Sequence, residues 1–277
     1  MNHLEHALRI ARHTDTGQLR TRNEDAIASD ASIGLAVLAD GMGGYNAGDV
    51  ASQMATLTIT AELISGFNRA HQSGKQVDSE QASSLMSDAV HAANIAIYQV
   101  ANEQEQCEGM GTTLVLSLFV DNRVVIGHIG DSRAYVLRND QLKQLTNDHS
   151  LLQEQIDSGL ITLEQAKLAT YKNFVTKALG VDPVTDLEIN THHVEVGDLY
   201  LLCSDGLTDM LEPYEIETTL IEGQNDLESL ANTLIRKANQ RGGKDNISVI
   251  LISVVEEFPL SKPNWLQSLI KKVVDKG

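Results

Sequence analysis

Three short apolar runs in this chain end against an aspartate. Ile33 to Leu38 leads into Ala39-Asp40-Gly41, Val124 to Ile129 into Gly130-Asp131, and Leu199 to Cys203 into Ser204-Asp205-Gly206. A fourth aspartate, Asp245, stands just before the run Ile247 to Val255. Runs of this length, rich in Val, Ile and Leu, read as strands. If those strand ends meet at one edge, four carboxylates converge there. Carboxylates packed together in a low dielectric repel one another, so the arrangement needs protons or bound cations. Oxygen donors with no His/Cys set beside them suit hard ions, Mg²⁺ or Mn²⁺, rather than zinc. A single Asp-Gly pair is an ordinary turn. The recurrence at strand ends is what points to a site.

The remaining pattern supplies layers for such an edge. Apolar residues recur at helical spacing from Asp49 to Leu63 and again from Ser83 to Glu105. Thr112–Val120, Arg123–Ile129 and Ala134–Leu137 then read as strands joined by the turn signals Asp121-Asn122 and Asn139-Asp140. Links this short join antiparallel neighbours. Leu187–Val194, Leu199–Cys203 and Ile247–Val255 add strands, and Pro213–Ile221 and Leu227–Gln240 add helices. Hairpins and helices without βαβ units imply an α+β fold with helices layered on antiparallel sheets. Ser150 to Ala178, weakly amphipathic and interrupted by Gly159, reads as a small helical flap, with Asp148 as the expected cap of its helix.

Composition excludes several classes. A net charge of −17 repels a phosphate backbone, so no nucleic-acid partner is expected. No stretch reaches the roughly 18 apolar residues of a membrane span, and the first residues lack a signal-peptide pattern. Cys107 and Cys203 carry no metal spacing, and Cys203 lies in an apolar run. A cytoplasmic protein without stable membrane insertion is the expectation.

Taken in order, Arg20…Glu24-Asp25, Asp40-Gly41-Met42-Gly43-Gly44, Gly111-Thr112-Thr113, Gly130-Asp131-Ser132-Arg133, Leu145-Thr146-Asn147-Asp148-His149-Ser150, Ser204-Asp205-Gly206-Leu207 and Asp245-Asn246-Ile247-Ser248 resemble the metal-dependent serine/threonine protein phosphatases of the PPM family (type 2C), in their bacterial single-domain form. The resemblance runs from about Arg9 to Val255. It implies a four-layer α/β/β/α sandwich, two central antiparallel sheets flanked by helices, with the flap near residues 150–178. It implies two Mn²⁺ or Mg²⁺ ions, with Asp40 bridging them, the Gly41 carbonyl on one, and Asp205 and Asp245 completing the other. Asp131, with Asp205, matches a third, weaker site. Glu24 and Asp25 match acids that act through metal-bound water, and Arg20 matches the arginine that grips the substrate phosphate. The implied reaction is attack of a metal-activated water on phosphoserine or phosphothreonine of a protein.

The chain departs from the pattern at one place. Tyr45 follows the Gly-Gly where many bacterial relatives carry a histidine, so Tyr45 is the candidate proton donor, with a phenol pKa near 10 that suits neutral pH poorly. Arg22 and Arg133 are expected to neutralise nearby acids, and Asp209 is an outer candidate. The expected organisation is a catalytic domain over 1–257 and an amphipathic tail over 258–277. The expected partners are phosphorylated proteins and a cognate serine/threonine kinase, and the expected state is a monomer. The rival readings are a phosphatase dedicated to one regulatory phosphoprotein and a non-catalytic phosphoprotein-binding module.

Overall fold

The structure, a computed structural model, describes residues 4–43, 47–162, 165–166 and 174–260. Two antiparallel sheets lie face to face. One runs β1 (Leu8–Asp15), β11 (Ile247–Val254), β10 (Leu199–Cys203), β7 (Arg133–Arg138), β8 (Gln141–Gln144). The other runs β2 (Asp25–Asp30), β3 (Leu35–Met42), β5 (Leu114–Val120), β6 (Arg123–Ile129), β9 (Glu188–His193), with β4 (Gly111–Thr112) on the end of β3. The β5–β6 and β7–β8 hairpins turn on Asp121-Asn122 and Asn139-Asp140, whose φ angles of 49° and 52°, and of 52° and 59°, are the left-handed pairs that match the strand twist.

Alternation along the strands sorts the core into three layers. On β3, Leu35, Val37 and Ala39 face the helices α1 (Gly48–Gln72) and α2 (Ser79–Glu103), while Ala36 and Leu38 face the other sheet. On β10, Tyr200 and Leu202 point between the sheets. Leu201 and Cys203 point outward. There they meet α5 (Pro213–Gly223) and α6 (Leu227–Gln240). Two short helices, α3 (Leu151–Asp157) and α4 (Asp205–Thr208), stand at the aspartate-bearing end. Each fully buried Leu or Ile contributes about 1.5–3 kcal/mol. The helices start on local signals. Asp78 and Asp226 accept the N–H groups of Gln81 and Ser229, and Glu212 and Glu215 form a capping box around Pro213. The α/β/β/α order is the one expected.

Several local expectations change. β3 does not stop at Leu38 but continues through Asp40 and Gly41 to Met42, because β2 and β4 keep its edges hydrogen-bonded. β1, β2 and β8 are additional strands. The helix in the flap is capped by Ser150, whose hydroxyl accepts the Gln153 N–H; Asp148 is held instead by the Arg133 guanidinium, at 2.6 Å from Nη2. The flap's described ends meet at a bridge between Ser150 and Val175. The packed chain also runs past residue 257. Phe258 is buried edge-on against Phe119, and the Phe258 and Leu260 N–H groups donate to Asn122 and Asp121. The rest of the tail, like Tyr45 and Gly44, lies outside the described residues.

Candidate metal centre at the end of the sandwich

The inter-sheet face is apolar along most of its length and turns acidic at one end. Asp40 continues the row of Ala36 and Leu38, and Asp25 is its cross-strand partner on β2. From the facing sheet, Tyr200 and Leu202 are followed by Ser204, whose hydroxyl donates to Asp25 Oδ2 at 2.9 Å. Strand period alone carries carboxylates and hydroxyls to where the core runs out.

Around this end lies a cavity of about 260 Å³ lined by Arg20, Glu24, Asp40, Gly41, Asp131, Asp205 and Asp245, with Val175 reaching in from the flap. Asp205 is the first residue of α4, and its Oδ1 is buried without a hydrogen-bond partner. Asp25 Oδ1 is buried and unpartnered as well. Asp245 is better served: Oδ1 takes the Asn246 N–H at 2.8 Å and Oδ2 takes Arg20 Nη2 at 2.7 Å.

The electrostatics show what this packing costs. Burial, then the charges of Asp25, Asp205, Asp131 and Asp245, push the Asp40 carboxyl well above the ordinary range. Asp205 is pushed well above it too, by burial and then by Asp131, Asp209, Asp245 and Asp25. Burial raises Asp25 to about 6, against hydrogen bonds from Ser248 and Ser204 that lower it. Asp131 also rises to about 6, from burial and the neighbouring Asp148. Glu24, half open to the cavity, is raised by burial against the pull of Arg20. Orphaned carboxylate oxygens in an all-oxygen set, with one rim arginine against several acids, are what a pair of hard divalent ions would satisfy. The residues therefore fit such ions, with Asp40, Gly41, Asp205 and Asp245 as donors and Asp131 beside Asp205.

The geometry refines three expectations. Gly41 is required for a close approach rather than for a turn: a Cβ there would lie 2.0 Å from the Gly48 carbonyl oxygen at the start of α1. Glu24 and Asp25, grouped by sequence, divide: Glu24 lines the cavity, while Asp25 sits beneath Asp40 between the sheets. Arg133 makes its direct ion pair with Asp148, outside the cavity, while its charge also lowers the pKa of Asp131.

Supporting residues inside the motifs carry roles that sequence reading did not assign. Thr113 Oγ1 accepts the Asp40 N–H at 3.2 Å and lies 2.7 Å from Ser132 Oγ, while the Asp40 carbonyl accepts the Thr113 N–H and the Thr112 hydroxyl, each at 2.8 Å. Asn246 accepts the Glu24 N–H and donates to the Thr16 and Arg22 carbonyls. The only sequence signal for these was their place beside the aspartates.

A neighbouring cluster invites a different metal. His128, His149 and Glu188 bring their ligand atoms within 4.8 Å of one another, and the two imidazoles stack at 4.6 Å. Their hydrogen bonds argue against ligation. His149 Nδ1 accepts the Gly130 N–H, so Nε2 carries the proton and points it at Glu188. His128 Nε2 faces the Asn147 carbonyl at 2.8 Å and must donate to it. With Thr176 N–H on the His149 carbonyl, the cluster braces the flap against the Gly130-Asp131 turn.

A family model described as protein phosphatase 2C matches residues 11–251. The chain belongs to the protein phosphatase 2C family. A serine/threonine phosphatase stp of Listeria innocua is 36% identical over 242 residues, covering 86% of this chain and 93% of that protein. The crystal structure of the Mycobacterium tuberculosis serine/threonine phosphatase PstP/Ppp superposes with a TM-score of 0.80 at 35% identity, covering 90% of this chain and all of that one. The catalytic domain of a protein phosphatase PstP in complex with two manganese ions superposes with a TM-score of 0.76 at 37% identity, covering 90% of this chain and 99% of that one. The two antiparallel sheets flanked by helices are thus the architecture of this family. No described helix is long and apolar enough to cross a membrane.

Proposed function

We infer that this protein is a metal-dependent phosphatase that removes phosphate from serine and threonine in proteins, with the catalytic unit spanning about residues 1–257. The observation that carries the reading is the set of carboxylates converging with Arg20 on one cavity, with an orphaned oxygen on Asp205 at its wall and another on Asp25 just beneath Asp40. Asp40, the Gly41 carbonyl, Asp205 and Asp245 would hold two Mn²⁺ or Mg²⁺ ions, with Asp131 and Asp205 serving a weaker third. When bound, the ions supply charge neutralisation and an acidified water at neutral pH.

The chain's own residues do the rest. Arg20, half exposed at the cavity rim, presents a planar guanidinium suited to a bidentate hold on two phosphoryl oxygens. Asp245, bonded to it, fixes the orientation of that grip. Glu24 and Asp25 orient water and compensate charge. Thr113 and Ser204 keep Asp40 and Asp25 in place, so the site need not reorganise as charge develops on the phosphoryl group. Tyr45 is the proton donor we would test first.

The partners that suit this reading are phosphorylated proteins and a serine/threonine kinase acting on the same residues, with the enzyme working as a cytoplasmic monomer. The experiment is Mn²⁺-dependent hydrolysis of an aryl phosphate and of a phosphothreonine peptide, with chelator and Asp205→Ala as controls. Loss of at least about 100-fold in both controls is expected; activity that survives them sinks the metal mechanism. In Tyr45→Phe, a tenfold or larger fall in kcat, on the order of 1.4 kcal/mol, identifies the acid.

A further inference from the structure

The two sheets do not close on each other along the edge formed by β8 and β9. Lys143 on β8 is the register partner of Val136, and His192 on β9 is the partner of Val124. Both valines belong to the core between the sheets. Cross-strand partners share a face, so each edge strand turns a basic side chain inward over the end of that core. Arg138 and Gln141, the register pair two residues along from Val136 and Lys143, share the same face. Together they wall a cleft of about 340 Å³ whose floor includes Val136 and Tyr200.

In a chain of net charge −17 this gathering of basic groups stands out. Arg138 is matched, with Nε and Nη2 on Asp198 at 2.7 and 2.6 Å and Nη1 on Glu195 at 2.8 Å. The Lys143 ammonium has no hydrogen-bond or ion-pair partner among the described residues. His192 Nε2 is buried with none. Burial, then Lys143 and Arg138, lower the proton affinity of His192, so both cations act on one imidazole. The other groups around it are Tyr200 on β10, whose hydroxyl is held by Asp198, and His193, the next residue on β9. One inward charge on an edge strand guards it against pairing with another sheet. An unpaired ammonium facing an imidazole whose protonation it opposes, with an unsatisfied nitrogen between the sheets, leaves a cation and a latent donor that an anion would satisfy together.

We propose that this cleft is a second anion site, taking a phosphate-type oxyanion well away from the metal centre. Arg133, at the metal end of β7, and Arg138, at the cleft, are separated by roughly 17 Å of strand. The oxyanion comes either from free phosphate or from a second phosphorylated residue of a substrate whose first one is in the metal centre.

Imidazole NMR of the Mg²⁺-loaded protein, titrated with phosphate at ionic strength held by chloride, reads His192 apart from the other histidines. The expected result is a rise of about one unit in the pKa of His192 with phosphate and none with chloride. In Lys143→Ala, an exposed change, that pKa starts higher without phosphate and the response is lost. Peptides with one phosphoserine, or with two spaced about six residues apart, separate the sources. A KM lower by about fivefold or more for the doubly phosphorylated peptide, absent in Lys143→Ala, assigns the cleft to substrate; equal KM values with an imidazole response assign it to free phosphate. No response of His192 to phosphate or to either peptide overturns the proposal.

Discussion

Asp25 lies directly opposite Asp40 in the β2–β3 pairing, so two carboxylates share one face of the sheet where the inter-sheet core ends. Like charges in that relation destabilise a sheet unless protonated or bridged by cations.

The metal-free protein should therefore weaken as pH rises. Asp131 makes the cleanest test, because burial and Asp148 raise it to about 6. A carboxyl raised in the folded state contributes stability that is full below its unfolded pKa near 4 and is lost as pH passes through about 6. His149 and His192, whose pKa values are lowered mainly by burial, act in the opposite direction over part of that window, so a paired comparison is required. In chelator, the stability of wild type relative to Asp131→Asn should fall between pH 4 and pH 7.5 by roughly 3 kcal/mol. A denaturant series that shows no pH dependence in this difference would rule the account out.

Arg20 should separate binding from folding. Its guanidinium is half exposed and contacts Asp245 at 2.7 Å. Arg20→Ala should raise KM for a phosphopeptide about tenfold or more, with a thermal midpoint within a few degrees of wild type, since exposed pairs contribute little stability. Arg20→Lys should recover only part of the loss, because an ammonium cannot make the bidentate hold. Steady-state kinetics on the three proteins decide it, and equal KM values would remove Arg20 from the phosphate grip.

Gly41→Ala should be far more damaging than Gly74→Ala. The added methyl at position 41 meets the Gly48 carbonyl at 2.0 Å, and backbone cannot swing aside as a side chain would. At Gly74, with φ of 66°, nothing lies within 4 Å, so only backbone strain remains. Urea unfolding should give a loss of about 1 kcal/mol for Gly74→Ala and of roughly 3 kcal/mol or more for Gly41→Ala.

Truncation should show what Phe258 contributes to the core. Ending the protein after Leu260 keeps Phe258 against Phe119 and serves as the reference. Ending it after Glu257 removes a buried aromatic and should cost about 3 kcal/mol. Matching midpoints for the two truncated proteins would show that Phe258 contributes nothing to the core.

The strongly periodic elements were legible in the sequence: β6, β10 and α6 keep the bounds read from their apolar spacing. β2, Asp25 to Asp30, was not, because Ala, Ser and Asp have low strand propensity and its pairing to β3 supplies the order. β8 is four mostly exposed residues, too short for a period. At the site, the aspartates announced themselves by their position beside apolar runs. Their supports did not: Thr113, Ser204 and Asn246 act across separations of 73, 179 and 222 residues, which no local pattern encodes. The Asp148 cap failed for the same reason, since Arg133, 15 residues upstream, claims that carboxylate.

Asn246 holds the Thr16 and Arg22 carbonyls and the Glu24 N–H through one amide, and the Gln18 N–H rests on Gly243. The stretch that bears Arg20 thus takes its shape from the segment that bears Asp245, at the far end of the polypeptide. Anyone grafting this phosphate grip onto another sandwich would have to transplant residues 16–25 and 243–246 as a single cassette; either piece alone would arrive without its mould.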